Sequence, residues 1–226
     1  MKKNIAILSF ILIFIIGGCT YNGYLQQGFH EPSKPIKSKI ELSAALVNTQ
    51  ELKDYRVQEY TGGQTFTFYF NPAFNEELVK ELSGVFSSIQ IIDTPRELDK
   101  YDIQIIPAIS YRYIEGSAWN GQYRYNFTVA LTVKNARSNT VIDEFKDTND
   151  IIISTPISVN VLSFLTGLSL FILSPITIPL ATQAGGASAR STIEDGVSRS
   201  FKVLSYQIAN SPKIYNYRPR QGIAIP

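Results

Sequence analysis

The stretch of chain between Asp150 and Arg190 contains no charged side chain, and this feature limits how the sequence can fold more than any other. Residues 159–173 are mostly apolar, and an apolar run resumes at residues 176–180 after Ser174-Pro175. Loops that face water are rarely this apolar, so the segment must bury its side chains. As a helix, residues 159–173 would span about 22 Å, less than the roughly 30 Å core of a bilayer.

Three destinations for this segment are open. A hairpin bent at Ser174-Pro175 could enter one leaflet of a membrane, or two extended arms could become strands of a multi-subunit barrel. The segment could instead contact a partner protein, since Ser163 and Gly167 have the small-residue spacing that lets a neighbouring helix approach. It could also cross the protein's own core as a fully apolar helix. The candidate residues for membrane or partner contact are Val159, Leu162, Leu165, Leu168 and Phe171.

The N-terminus has the pattern of a secretory signal peptide. Two lysines precede an apolar run at residues 5–16, and Gly17-Gly18 stands directly before Cys19, the only cysteine. A basic start, a short apolar stretch and small residues at a cleavage point are typical of such signals. We therefore predict that residues 1–18 are removed from the mature chain.

Ile16-Gly17-Gly18-Cys19 resembles the lipobox of bacterial lipoproteins. The resemblance implies that the thiol of Cys19 carries a diacyl group with fatty acids such as palmitate, and that the chain is cut before Cys19. Two acyl chains anchor a protein stably, because each buried CH₂ contributes about 0.8 kcal/mol. An aspartate after the cysteine favours retention in the inner membrane of this family, whereas this chain has Thr20. The resemblance thus implies an outer-membrane protein facing the periplasm, or the cell surface in a host with one membrane.

The mature chain is expected to be neutral and without disulfides. Removing the two lysines of the signal takes the formal net charge from +2 to zero (+2 minus 2). A neutral domain has no electrostatic footprint for nucleic acid, so we expect no nucleic-acid partner. With Cys19 acylated no thiol is left, and stability must come from a packed core.

Residues 19–38 are predicted to be an acylated tether between the membrane and a folded domain. Glycines and prolines interrupt this segment, and no apolar period is sustained. His30, the only histidine, lies here with Glu31 as its one acidic neighbour in sequence. We interpret His30 as a solvated loop residue rather than a metal ligand or a catalytic base.

From residue 39 onward the pattern alternates between strands and helices. Apolar alternation predicts strands at residues 66–70 and, most clearly, at 123–133, followed by a turn and a partner strand at 140–145. Asn71-Pro72 is predicted to cap and begin a helix that buries Phe74, Leu78 and Leu82. A second helix is predicted behind Gly185-Gly186, with an apolar stripe of Ala189, Ile193, Val197, Phe201, Leu204 and Ile208.

This order predicts an α+β fold, with a mostly antiparallel sheet and two amphipathic helices on one face. The apolar stretch, residues 151–189, is predicted to be a helical or hairpin insert in a single domain of residues 39–212. Residues 213–226 are then a C-terminal tail.

No pattern in the sequence indicates catalysis. There is no nucleophile elbow, zinc-binding helix, phosphate-binding loop or cysteine cluster, and the one histidine lies on the predicted tether. We expect neither an enzyme nor a protein that needs a metal or cofactor.

An aromatic hairpin is the nearest feature to a binding site. Tyr111-Arg112-Tyr113 and Tyr123-Arg124-Tyr125 flank a glycine-bracketed loop that carries Trp119, the only tryptophan. If the strands pair, the two triplets face each other and could stack on sugars or hold a peptide. Cross-strand pairing that only stabilises the sheet is the alternative. We hypothesise that Trp119→Ala spares folding and impairs partner binding.

The lipobox followed by a compact strand-helix-strand-strand-helix layout over residues 39–210 resembles the small α/β lipoproteins of the bacterial envelope. These include the auxiliary lipoproteins of ABC-type transport and the CsgG-like secretion lipoproteins. The resemblance implies a non-enzymatic accessory or assembly factor of an envelope complex, with an envelope protein or a second copy as partner. A subunit of an oligomeric outer-membrane channel and a cell-wall glycan- or peptide-binding module are the alternatives.

Overall fold

The computed structural model describes residues 20–34, 39–61, 64–117, 122–154 and 174–218. The strands are β1 Thr20–Tyr24, β2 Ile40–Val47, β3 Arg56–Thr61, β4 Gln64–Tyr69, β5 Phe86–Ile92, β6 Ile103–Ser117, β7 Gln122–Asn135 and β8 Val141–Ser154. The helices are α1 Gln50–Lys53, α2 Ala73–Leu82, α3 Ser174–Ala209 and α4 Pro212–Tyr215, with a 3-10 helix at Pro95–Lys100.

The strands form two sheets rather than the single sheet predicted. A three-stranded sheet has the order β1-β4-β3, and a five-stranded sheet has the order β5-β2-β6-β7-β8. The long antiparallel ladders are β6 with β7 and β7 with β8, whereas β2 is parallel to both of its neighbours. The α+β class is confirmed, and most paired residues are antiparallel. The division into two sheets was missed because the pairing of β1 with β4 joins distant parts of the sequence.

Strand β7 shows why alternation is a reliable signal. Its alternate side chains Tyr125, Phe127, Val129, Leu131 and Val133 are all buried in the core. The partner strand is much longer than the predicted residues 140–145, since β8 continues to Ser154 in register with Gln122. The start of the predicted insert, residues 151–154, is therefore sheet, and Ile151 and Ile153 are buried there.

The apolar stripe predicted for the second helix is confirmed, since all six of its residues are buried. Its start was predicted wrongly, because α3 begins at Ser174 and passes through Gly185-Gly186 without ending. Helix α2 buries Phe74, Leu78 and Leu82 as predicted, but it begins at Ala73, and no side chain caps its first turn. The two helices meet over the core, where the rings of Phe74 and Phe201 lie 5.0 Å apart.

The segment predicted to be a tether is instead part of the fold over residues 20–34. Strand β1 pairs in parallel with β4, with Tyr21 opposite Phe66, and Leu25 is buried. The prediction failed because the partners of this segment are non-local. Its few apolar side chains are separated by glycines and polar residues, and they become packed only through contacts with β4 and α3.

Replacing Gly186 with alanine is expected to destabilise the fold. A Cβ at this position would lie 2.6 Å from ring atoms of Tyr21, closer than packed carbons allow. Overpacking of this kind costs about 1–3 kcal/mol, which exceeds the gain of about 1 kcal/mol from alanine in a helix. Urea unfolding of Gly186→Ala should show the loss, and a Tyr21→Ala background should remove most of it. Equal losses in both backgrounds would contradict the contact.

Candidate functional site

Residues 25–34, called here the N-terminal segment, are held in place by buried carboxylates. The backbone N–H of Gly28 donates to Glu77 at 2.7 Å, and that of Gln26 donates to Glu194 at 2.7 Å. The N–H of Ser33 donates to Glu81 at 2.8 Å. We call Glu77, Glu81 and Glu194 the carboxylate clamp. Because the clamp binds main-chain N–H groups, it fixes the path of the segment and not only its side chains.

Helix geometry explains the clamp. Glu77 and Glu81 are four residues apart on α2, so they lie on one helix face beside the apolar stripe. Both are buried, with exposed fractions of 0% and 3%. Gly28 adopts a φ of +78°, a left-handed conformation that glycine reaches without steric cost, where its N–H donates to Glu77. The sequence analysis did not identify Glu77 or Glu81 as site residues, because their partners are main-chain N–H groups of a segment about 50 residues away.

His30 is buried, with an exposed fraction of 3%, and the prediction of a solvated loop histidine was wrong. Its Nε2 donates to Glu81 Oε2 at 2.8 Å, and its Nδ1 lies 2.8 Å from Ser198 Oγ. The ring also meets the edge of Phe201 at 5.4 Å between centroids. The partners come from α2 and α3, which are 51 and 168 residues away in sequence. No local pattern could have indicated them.

Ser198, His30 and Glu81 follow the order of nucleophile, base and orienting acid. The surroundings of Ser198 do not suit acyl transfer, because it lies inside helix α3, where backbone N–H groups already bond carbonyls four residues earlier. The helix therefore offers no oxyanion donors beside Ser198. Glu81 also accepts hydrogen bonds from the Ser205 hydroxyl and the Ser33 N–H, so its carboxylate joins α2, α3 and the N-terminal segment.

The pKa values of two clamp carboxylates, Glu81 and Glu194, are shifted in opposite directions. Burial acts to raise the pKa of Glu81, but hydrogen bonds from His30, Ser205 and Ser33 outweigh it and hold this pKa at about 2. For Glu194, burial raises the pKa, and the hydrogen bond from Gln26 and the charge of Arg190 offset it only in part. Glu81 therefore stays ionised in the folded protein far below the usual carboxyl range.

The depressed pKa of Glu81 predicts a loss of stability in acid. Its ordinary pKa is 4.5 and its folded value about 2, so its contribution is complete above 4.5 and is lost as the pH falls towards 2. Glu194 has the opposite sign, because its raised pKa favours folding at low pH. In the wild type, the urea concentration at the midpoint of unfolding should be lower below pH 4.5 than above it. The difference between the two pH values should be smaller in Glu81→Gln. An equal fall in both would exclude Glu81 as the source.

The aromatic hairpin exists, but its two triplets are offset. Strands β6 and β7 pair so that Tyr113 lies opposite Tyr125, while Tyr111 lies opposite Phe127. Tyr111 stacks on Tyr125 at 4.7 Å, and Tyr125 is buried. A register shift between Tyr113 and Glu115 displaces the rest, so Tyr123 lies opposite Gly116. These contacts are typical of an aromatic cluster that stabilises a sheet. Among the four tyrosines of the two triplets, Tyr113 has the largest exposed fraction, 52%.

Several described elements end at the same side of the domain, called here the Thr20 end. It comprises the start of β1, the end of β3, the starts of β4 and β7, the ends of β6 and β8, and α3 near Gly186. Contacts along α3 show that it runs in the same direction as β1 and the N-terminal segment: Gly186 with Tyr21, Glu194 with Gln26, and Ser198 with His30. Contacts with β8 run in the opposite order: Ser200 with Asp147, and Gly196 with Ile151.

Several predicted site residues lie outside the described residues. They are Cys19, Trp119, Val159, Leu162, Leu165, Leu168 and Phe171. Of the helices in the described part of the chain, none has both the length and the apolar character that crossing a bilayer requires. Within the same residues there is no group of three or more His, Cys, Asp or Glu side chains placed to hold a metal ion.

Comparisons with known proteins found weak structural similarities. No family model and no curated protein sequence matches the chain. A Xanthomonas campestris protein of family DUF330 aligns with a TM-score of 0.38 and 11% identity, covering 79% of this chain and 99% of its own. A minor lipoprotein from Acinetobacter baumannii gives 0.36 and 12%, covering 75% and 95%. Lipoprotein B from Nitrosomonas europaea gives 0.36 and 10%, covering 78% and 94%. TM-scores this low assign neither a family nor a function.

Proposed function

We propose that this chain is a bacterial lipoprotein, acylated on Cys19, that acts without catalysis as an accessory or assembly factor in an envelope complex. The sequence before Cys19 supports the anchor, and Thr20 supports an outer-membrane location facing the periplasm. The observation that carries the proposal is the position of β1. This strand begins at Thr20, the residue directly after the proposed acylation site.

The start of β1 determines how far the domain can stand from the bilayer. A free tether of residues 19–38 would reach about 65 Å when extended. Because β1 begins at Thr20 and the carboxylate clamp fixes residues 25–34, that reach is absent. The folded domain would sit directly on the membrane that holds its acyl chains. This favours a factor that meets its partner at the membrane surface over one that reaches across the periplasm.

Acylation and location can be tested in the source bacterium. Intact mass of the envelope-extracted protein should show loss of residues 1–18 and the added mass of two or three acyl chains. Cys19→Ser should remain uncleaved and lack that mass. Thr20→Asp is the matched control, expected to be acylated but shifted to the inner-membrane fraction of a density gradient. A wild-type protein that matures without acyl mass would refute the proposal.

A second experiment tests the importance of the short connection. A flexible Gly/Ser linker placed between Cys19 and Thr20 should leave acylation and folding intact, because β1 keeps its own residues. If the domain works at the membrane surface, this variant should fail to restore the phenotype of a deletion strain that the wild-type gene restores. Full restoration would mean that the short connection has no functional role. Light scattering of the detergent-extracted protein gives the number of copies in each particle. One copy would favour an accessory factor, and a ring-sized oligomer would favour a channel subunit.

A further inference from the structure

Strand β5 is an edge of the five-stranded sheet, because β2 is its one paired neighbour in the described part of the chain. The carbonyl of Ile92, the last residue of β5, accepts a hydrogen bond from the N–H of Asn48, which follows β2. The backbone groups of Ile92 and of every second residue before it therefore face β2. The residues between them direct their N–H and C=O groups away from the sheet. These outward-facing residues are Ser87, Ile89 and Ile91.

The sequence of β5 lacks the features that usually protect an edge strand from pairing. Charged side chains, prolines and bulges are the common protections. Strand β8, the other edge of the same sheet, carries four acidic residues and a lysine, and β3 in the smaller sheet carries Arg56 and Glu59. Strand β1 has no charge, but it has only five residues and packs against α3, where Tyr21 meets Gly186. The seven residues of β5 include no charge, proline or glycine.

The centre of β5 is also uncovered on its side-chain faces. Its end residues, Phe86 and Ile92, are buried, and residues 87–91 between them are exposed apart from the half-buried Ile89. Ile91 has an exposed fraction of 37%. An open backbone edge beside exposed apolar side chains is a template for another extended strand. The chemistry of the occupant follows from this edge, because a second strand supplies the alternating donors and acceptors that match it.

We propose that β5 pairs with β5 of a second copy of this chain, antiparallel, about a two-fold axis at Ile89. Ile89 is the middle residue of the strand, and its backbone groups point outward, so its two copies can exchange N–H···O=C bonds across the axis. Ser87 then lies opposite Ile91 of the second copy, and Ser88 lies opposite Gln90. The pairs at Ile89 and at Ser87–Ile91 would supply about six backbone hydrogen bonds.

The distribution of charge favours a second copy as the occupant. An uncharged strand meets its own copy without repulsion, whereas β8 would bring two acidic strands together. The charged residue nearest to β5 in sequence is Asp93, which is ion-paired with Lys53 at 2.7 Å. In the proposed pairing the two Asp93 residues would be eight residues apart, or about 27 Å. The pairing is isologous and uses both β5 edges, so it closes at two copies.

The same pairing allows both copies to be anchored in one membrane. A two-fold axis between antiparallel strands of one sheet is perpendicular to that sheet, so both copies present the same face to the same side. Helix α3 lies on that face, because Gly196 meets Ile151 and Ser200 accepts a hydrogen bond from Asn149. Strand β1 packs against α3, so both Thr20 residues lie on one side of the joined sheet. Pairing through β5 does not need acylation of Cys19, and it can be absent while the proposed function stands.

A single cysteine on β5 tests the pairing. Ser88→Cys is nearly isosteric at an exposed position, and its two copies would lie roughly 8 Å apart, two residues along the joined sheet and one strand across. The membrane-extracted full-length protein is reconstituted into vesicles of phosphatidylethanolamine and phosphatidylglycerol and treated with a short bismaleimide. Ser88→Cys should give a covalent dimer. The parent chain measures linking through Cys19, and Ser138→Cys, exposed in the β7–β8 turn, measures random collisions.

A charge placed on β5 gives the second test. Gln90→Cys would lie opposite Ser88 of the second copy and should also link, so it reports on pairing. Adding Ser88→Lys should remove most of this linking, because two lysines would meet across the axis. Mixing Ser88→Lys with Ser88→Glu chains before reconstitution should restore it. Gln58→Lys, an exposed change on the edge strand β3, should have no effect.

Either of two results would overturn the pairing. In the first, Ser88→Cys links no more than Ser138→Cys. In the second, Ser88→Lys leaves the linking of Gln90→Cys unchanged. Far-UV circular dichroism checks that the lysine variant is folded, and the nearly isosteric cysteine keeps the test valid if it is not. Intact mass of the same samples reports on acylation separately, so failure of the pairing is distinct from failure of the proposed lipoprotein function.

Discussion

Glu81→Ala is expected to lower the free energy of unfolding by about 3–5 kcal/mol, because each buried donor left without its charged acceptor costs about 1–3 kcal/mol. The side chains of His30 and Glu81 are 0% and 1% exposed, so water cannot replace the lost carboxylate. The change leaves His30 Nε2, the Ser205 hydroxyl and the Ser33 N–H without their acceptor. The N-terminal segment should loosen as well, because Glu81 is one of the three carboxylates of the clamp.

Urea unfolding followed by circular dichroism measures this loss. Glu76→Ala is the control on the same helix: among the described residues, Glu76 accepts a hydrogen bond only from the exposed Gln27, so the change should stay within about 0.5 kcal/mol. If Glu81→Ala were as mild as Glu76→Ala, the buried network would have no role in stability.

Phe201→Ala is expected to cost about 3–5 kcal/mol, as usual when a buried aromatic ring is removed. Phe201 is fully buried, and its ring meets Phe74 at 5.0 Å and His30 at 5.4 Å. It also approaches Phe29 at 6.2 Å. One side chain thus contacts α2 and the N-terminal segment from α3. Its loss should weaken the attachment of the segment, although Phe201 itself makes no hydrogen bond to the carboxylate clamp.

Two measurements separate this effect from general destabilisation. Hydrogen exchange at the amide of Gly28 should accelerate more in Phe201→Ala than exchange in the centre of β7. Tyr206→Ala on the same helix is the control, because that side chain is 71% exposed and should change stability little. Equal acceleration at Gly28 and in β7 would mean that Phe201 supports only the global fold.

The parts of the fold that the sequence predicted are those whose pattern is long and local. Apolar and polar side chains alternate over the eleven predicted residues of β7, and α3 carries six apolar residues at helical spacing. Both patterns are long enough to predict the element without knowledge of its partners. The surroundings of residues 20–34 could not be predicted, because Tyr21, which is half-buried, packs against Phe66 and Gly186, which lie far away in sequence.

The candidate site shows the same division. The hairpin of the two tyrosine triplets was predicted, but the offset between them was not, since the register shift near Ile114 leaves no mark in the sequence. The burial of Glu77 and Glu81 was likewise hidden, because acidic side chains ordinarily face water. Only the main-chain N–H groups of residues 26–33 explain why these carboxylates point inward.

The attachment of the N-terminal segment also sets an order of events during biogenesis. The groups that hold it on α3, Glu194 and Ser198, each lie 168 residues after their partners Gln26 and His30 and are therefore synthesised much later. The segment therefore cannot close onto the domain until the 168 residues that separate it from α3 have been synthesised and, if the chain is exported as proposed, translocated. Under the proposed acylation, this delay keeps the peptide around Cys19 extended and open to the enzymes that acylate and cleave it. Because α3 is synthesised later than the N-terminal segment, lipid attachment could finish before β1 pairs with β4.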